Sequence, residues 1–600
     1  MLTPSLSLLA LVLGAAASSH HGSVSQYDFV IVGAGTSGLV VANRLSELKN
    51  VTVAVIEAGD SVFNNANVTN VMGYSLAFGT EIDWAYETAN QTYAGGLKQT
   101  IRAGKAIGGT STINDSRDII LIVAGMSYTR AEDAQIDNWE RVGNKGWGWN
   151  DLLPYYKKSE DFQIPTKDQA SLGASYNASV HGRSGPLKVG WPKSITNGTV
   201  FSVLNETMTH LGVDYNPDAN SGHMIGFTDH PDTLDRERNV REDAARAYYW
   251  PYESRSNLKI ISNTQANKII WANNTHGEAV AVGVEVSNTY GTETIYARKE
   301  VIVSAGSLRS PQLLELSGVG NPDILSRYNI STKVNLPAVG ENLQDQTNNG
   351  LVWESTESLS GLATFSALMS VDQLYGSNVS AVRAQIDSDI VRYAKTLSKK
   401  SNGAVKEDHL LNALKIQRDL IFESLVPYVE IVFAPSGQTF ASEYWPLQPF
   451  SRGSVHVQSA NFSQTPYIDP NYFMFEQDID AQIDVAQYIR KLFETAPLTG
   501  IVGDEISPTS AVLPNNASSA TWQSWVKENY RPNYHPVGTN SMLPREKGGV
   551  VSSDLRVYGT KNVRVVDASI IPFQISGHLT STLYAIAEKA SDLIKDSYRH

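Results

Sequence analysis

The chain runs to 600 residues without a single cysteine. Disulfides, a thiol nucleophile and a cysteine-ligated metal are therefore excluded. Positive charge is also short: 48 Lys and Arg stand against 61 Asp and Glu, a formal net charge of -13, and no long Lys/Arg run occurs. A field of that sign repels nucleic acid and anionic membranes and favours neutral or cationic small molecules. The apolar stretch 6–13, interrupted only by Ser7, is too brief to span a bilayer. No GxSxG and no HExxH occurs, which removes two common hydrolase signatures, and no cluster has metal-ligand spacing, so no metal is expected. Internal repeats and long low-complexity segments are absent as well.

What is present is the profile of a globular enzyme, 42% hydrophobic and 18% charged, with length enough for more than one core. Residues 1–17 read as a secretory signal, with Ala15 and Ala17 in an A-x-A cleavage pattern. Sequons at Asn67, Asn90, Asn177, Asn205 and Asn378 fit a secreted, N-glycosylated protein. Export without disulfides leaves stability to core burial.

Residues 27–45 (YDFVIVGAGTSGLVVANRL) run from an apolar β-branched strand through a glycine turn into a helical pattern. A second strand, 51–56, ends at Glu57. This is the complete βαβ dinucleotide unit. Gly33 permits the tight turn, Gly35 lets backbone N–H groups of the Thr36-Ser37 turn approach a pyrophosphate, and Gly38 allows close helix–strand packing. Glu57 is placed to accept from ribose hydroxyls. Residues 299–305 (KEVIVSA) and 562–567 (NVRVVD) read as further buried strands, so the sheet is assembled from distant segments. Residues 379–425, rich in helix formers, suit surface helices of a second domain.

Four stretches together resemble the glucose–methanol–choline (GMC) oxidoreductase family. They are GAGTSG with Glu57, GKAIGGTSTIN at 104–114, GSLRSPQLLELSGVG at 306–320, and a C-terminal half with two motif histidines, His535 in YHPVG and His578 in SGH. The resemblance runs from about Tyr27 to the C-terminus and is greatest to fungal glucose oxidases and FAD-dependent glucose dehydrogenases. It implies an α/β fold with a discontinuous Rossmann-type FAD-binding domain (27–114, 240–345, 545–600). The substrate-binding domain would be α+β, an antiparallel sheet backed by helices (125–239, 346–544).

By the same resemblance His535 takes the hydroxyl proton and His578 hydrogen-bonds the same oxygen, work suited to imidazole because it titrates near operating pH. The histidines stand 43 positions apart (535 to 578), as in sugar-oxidising members. Gly108, Thr110, Asn114, Asp567 and Ala568 match FAD-contacting positions. Ile113 occupies the place where covalently flavinylated relatives carry the linking histidine, which implies non-covalent FAD. Arg531, Asn533 and Glu430 match positions around the sugar, and residues 340–345 (GENLQD) match a further stretch read as structural. The implied reaction is oxidation of a sugar hydroxyl, glucose to its lactone, with oxygen or a quinone-like compound as electron acceptor. A secondary-metabolite alcohol oxidase or dehydrogenase is the nearest alternative, and an inactive flavin-fold binding protein an alternative of another class. Sequence leaves the oligomeric state open, a homodimer included.

One stretch departs from the pattern. Relatives pass directly from the Asn114 position to GMSYTR, whereas residues 115–124 (DSRDIILIVA) intervene here. A surface bulge with its flanks in place and a mis-spliced segment compete as explanations, the second being favoured. Deleting the insertion is then expected to raise flavin content.

Overall fold

A computed structural model describes residues 25–71, 75–113, 116–118, 121–123, 125–273 and 277–599. The signal-peptide segment and Asn114 lie outside them. Among the described residues no helix is long and apolar enough to cross a membrane.

Two sheets organise the molecule. The first has the order Leu258–Ile261, Val53–Ile56, Gln26–Val32, Gly291–Val303, Ala281–Asn288, Gln265–Trp271, with Val563–Val565 also paired to Gly291–Val303. Its inner strands are parallel, and the three from 265 to 303 form an antiparallel extension. The strand Gly291–Val303 serves both parts. Its first half pairs with 283–288 and is largely exposed, whereas Val301–Val303 pair with the first strand and with 563–565 and are fully buried. The sequence follows this change, from GTETIYA to KEVIV, because a strand covered on both faces must be apolar throughout. Segments hundreds of residues apart thus meet in one sheet, as the short apolar runs implied.

The helix Thr36–Ser46 follows the first strand and packs on the C-terminal helix Leu579–Asp596. Arg44 clamps the two, donating to both carboxylate oxygens of the buried Glu588 at 2.7 and 2.8 Å. That bidentate geometry is what a planar guanidinium supplies and an ammonium does not.

The second sheet is antiparallel, in the order Val502–Ser507, Thr347–Leu359, Val429–Pro446, Phe365–Met369, Gly226–Asp229; Arg531–Pro532 adds at Thr347 and Asn348. The helix Glu476–Phe493 backs it, with Phe493 stacked on Trp353 at 3.7 Å. The expected surface helices are Val379–Lys400 and Glu407–Phe422, packed as a pair. The two sheets are the expected α/β and antiparallel α+β halves.

The insertion forms a β-hairpin, Ser116–Asp118 antiparallel to Leu121–Val123, whose second strand lies against Val429–Pro446. On either side of it, Ile113 and Gly125 both line the central cavity described below. Both flanks therefore stand at the cavity with the inserted strands present.

Candidate active site

A cavity of about 300 Å³ lies between the two sheets and gathers most of the residues singled out from sequence: Gly33, Gly35, Thr36, Ser37, Glu57, Thr110, Asp567, Ala568, Asn533, His535 and His578. The glycine turn forms one end. Gly33 has φ +103°, and a Cβ there would sit 2.3 Å from the Ser304 carbonyl oxygen. Gly109, at φ +56°, would press a Cβ to 2.5 Å from the Gly35 Cα. The two glycine-rich motifs, far apart in sequence, touch backbone to backbone at this point.

This end fits a dinucleotide. Gly35 caps the helix Thr36–Ser46 without any side-chain hydrogen bond, and no acid stands in its first turn, so the helix N-terminus is left for an anion. The hydroxyls of Ser37, Ser304 and Ser307 are buried without a hydrogen-bond partner and line the same cavity. Buried polar groups are seldom left so, and three on one wall mark a surface that a polar ligand completes. Glu57, at the end of the second strand, accepts from the Ala34 and Gly59 N–H groups at 2.9 and 2.8 Å. Burial pushes its carboxyl up to about 7 against those donors. The Asp567 carboxylate is satisfied from within, by the Ser310 hydroxyl at 2.5 Å, the Gly306 N–H at 3.0 Å and Ser569. Burial raises it despite them.

At the other end stand the histidines. His535 follows the edge strand Arg531–Pro532, and Tyr534 between them has φ +62°, a strained turn that aims the ring into the cavity. His578 caps the C-terminal helix, its N–H donating to Thr129 Oγ1 at 2.9 Å. The rings are 5.5 Å apart with planes at 82°, and Trp445 stands edge-on to His578 at 5.9 Å. Burial depresses His535 to about 3, with the neighbouring charges of His578 and Arg531 acting the same way. His535 is thus a neutral imidazole at ordinary pH, its protonated form disfavoured. A third buried histidine, His230, lies 6.2 Å from His578 and is likewise pulled down, to about 4, by burial.

Some expected residues take other places. Glu430, fully buried, is not on the cavity wall; it sits behind His578 with Oε1 3.2 Å from Nε2. A carboxylate there faces the His578 ring directly. Arg531 also stands off the wall and pairs with the buried Glu443 at 2.6 Å. Gly108 supports the wall from outside, its N–H bonded to the Ala34 carbonyl at 2.8 Å, and Gly109 takes its place at the cavity. Gly38 is a packing position, where a Cβ would fall 2.0 Å from the Gly33 carbonyl.

Sequence reasoning missed Glu443, Asn348, Gln346 and Asp345. Asp345 ends the stretch read as structural, yet its carboxylate accepts the His535 backbone N–H at 2.9 Å and the Tyr472 hydroxyl at 2.7 Å. Only its nearness to a matched motif offered a signal; nothing local marks the others.

With this geometry in place, comparison with known proteins fixes the class. The two GMC oxidoreductase family models match residues 27–348 and 449–587. The chain is 44% identical to the glucose oxidase-like protein fsoC of Humicola fuscoatra, over 98% of this chain and 99% of that one. It is 34% identical to a glucose oxidase of Aspergillus carbonarius, over 95% and 92%. Among solved structures, an FAD-dependent oxidoreductase of Chaetomium thermophilum superposes with a TM-score of 0.86 at 27% identity, covering 96% of this chain and all of that one. A fungal aryl-alcohol oxidase does so at 0.81 and 26%, covering 96% and 99%. The chain belongs to the GMC oxidoreductase family, flavoproteins that oxidise CH–OH donors.

Proposed function

We propose that this protein is a secreted oxidoreductase, with non-covalently held FAD, that oxidises a sugar hydroxyl, glucose to its lactone. The observation that carries the reading is the pair His535 and His578 facing one cavity whose far end fits a dinucleotide. The wall offers an apolar Ile113 at the place of the linking histidine, which supports non-covalent binding. Gly33, Gly35, Thr36, Ser37 and Glu57 would hold the adenosine and pyrophosphate end, and Thr110, Asp567 and Ala568 the flavin end. Bound FAD supplies the two-electron acceptor.

The chain's own groups do the rest. His535, neutral because it is buried, accepts the substrate hydroxyl proton at the ring nitrogen that faces the cavity. His578 supports the same oxygen, and Glu430 behind it favours a proton on Nε2, since a carboxylate accepts and does not donate. A positioned base of this kind contributes on the order of 10²–10⁴ in rate. Asn533 and the Arg531–Glu443 pair keep the substrate end polar, which suits a polyol because buried polar groups discriminate by the partners they require.

A second reading keeps the chemistry and changes the substrate. Trp445, Tyr534 and Phe78 also line the cavity, an aromatic wall suited to the aryl or secondary-metabolite alcohol of the alternative. Mixing the protein anaerobically with D-glucose and following the oxidised-flavin band at roughly 450 nm separates the two. Bleaching by glucose is expected; none with glucose, and bleaching by benzyl alcohol, moves the assignment to the second reading. Repeating turnover with oxygen and with benzoquinone assigns the acceptor.

A further inference from the structure

The Nδ1 of His535 lies 2.9 Å from Gln346 Oε1 and 3.1 Å from Asn533 Nδ2. Which of these it bonds to decides where the imidazole proton sits, and so which nitrogen is left as base. The answer follows from hydrogen-bond polarity, read inward from a charged end. Glu443 is 1% exposed and paired to Arg531 at 2.6 Å, so it is an ionised carboxylate that only accepts. Asn348 faces Glu443 Oε2 at 3.2 Å and must present its amide nitrogen there. The same nitrogen stands 2.9 Å from the Asn533 side chain, which therefore offers its oxygen. Asn533 Nδ2 then points onward and donates to Gln346 at 3.1 Å, which defines that atom as Oε1. An amide oxygen cannot donate, so the 2.9 Å contact requires a proton on Nδ1.

We infer that Glu443, Asn348 and Gln346 are positioning residues: a buried relay of amides, anchored on the Arg531–Glu443 pair, locks His535 as the Nδ1–H tautomer and leaves Nε2 as the base atom. Asn533 is a member of the same relay, so its place before the histidine serves polarity as well as any substrate contact. Strand register builds the relay. Asn348 pairs with Arg531 and Gly350 with Glu443, so the edge strand and the central strand deliver both ends of the ion pair to one asparagine. Gln346 and Asn348 are 0% and 1% exposed, and within the described residues Nε2 of His535 makes no hydrogen bond.

The inference rests on His535 being the base, and its test separates the two. In ¹⁵N-histidine-labelled holoenzyme, with His535 assigned by its loss in H535A, a proton is expected on Nδ1 in the wild type. Asn348→Asp replaces the donor by an acceptor. It is expected to move the proton to Nε2, or to mix the tautomers, while FAD content stays full. Gln346→Glu keeps the acceptor and adds charge. The proton should stay on Nδ1, and the histidine, which has His578 and Arg531 beside it, Asp345 on its backbone N–H, and Glu430 and His230 beyond His578, should titrate at least one pH unit higher. Flavin reduction by the substrate that bleaches the wild type, D-glucose or benzyl alcohol, should slow about 10²-fold in N348D with KM little changed, and the pH profile of Q346E should have its acid limb shifted upward. An Nε2–H tautomer in the wild type, or an unaltered tautomer in N348D, overturns the relay. Near-normal flavin reduction in H535A overturns the base assignment instead, whatever the tautomer.

Discussion

His456 offers the sharpest stability prediction. It is 13% exposed at its side chain and sits between two carboxylates, Nδ1 at 2.8 Å from Glu315 and Nε2 at 3.3 Å from Glu341. Glu315 belongs to the helix Gly306–Leu316 of the first half, and Glu341 to a short strand that pairs with the one carrying His456. Burial alone would lower the imidazole, but the two carboxylates reverse this and push it from 6.5 up to about 10. A group raised in the folded state stabilises it fully below its unfolded value. The benefit is then lost at ~1.36 kcal/mol per pH unit as pH rises from 6.5 to about 10. The whole interval is worth a ceiling of about 5 kcal/mol, reduced in practice because burial also raises Glu315 and part of the gain restores that desolvation. His456→Leu should therefore be much less stable than the wild type at pH 6, by about 3–5 kcal/mol for a broken buried pair. The gap should narrow toward pH 10 as the imidazole loses its charge, leaving the cost of the unpaired Glu315. Urea unfolding followed by tryptophan fluorescence across that range measures it, with the variant subtracting the titrations of groups outside this cluster. A gap that stays constant with pH would refute the charged-imidazole argument.

Other expectations follow from the cavity. Histidine 535 replaced by alanine should retain FAD and reduce it on the order of 10²–10⁴ times more slowly, checked by anaerobic stopped flow. Because His535 is depressed to about 3, the wild-type reduction rate should lose no base function as pH falls from 8 to 5; a limb centred near 6.5 would contradict the burial argument. Gly109→Val drives a side chain into the Gly35 backbone at positive φ. A strain of about 2 kcal/mol predicts FAD binding roughly 30-fold weaker, read from flavin fluorescence titration. Deleting residues 115–124 should leave the flavin-to-protein absorbance ratio unchanged, since Ile113 and Gly125 already reach the cavity with the hairpin present; a rise would show that the hairpin obstructs loading.

How far the site was legible depended on the range of the forces that build it. The glycine turn, Glu57 and the buried strands were readable because their constraints are local: a tight turn, a helix N-terminus and a run covered on both faces each leave a pattern within a dozen residues. His535 and His578 were readable through their flanking motifs. Glu430 was placed near the motif histidines and stands beside His578, but sequence gives a residue's neighbourhood and not the face from which it approaches. The insertion's apolar residues suit no solvent loop, and the neighbour of its strand Leu121–Val123, the strand Val429–Pro446, enters the chain three hundred residues later. The relay behind His535 left no local trace at all. Asn348 is an ordinary strand amide and Gln346 stands just before the same strand, and what gives them a part in the relay is the alignment of Arg531 and Glu443 across two registers. Amide polarity has meaning only when a charge fixes one end of the chain, and here that charge is supplied by a pair 88 positions apart. A site of this kind is found by following hydrogen bonds from a charge toward the reacting atom.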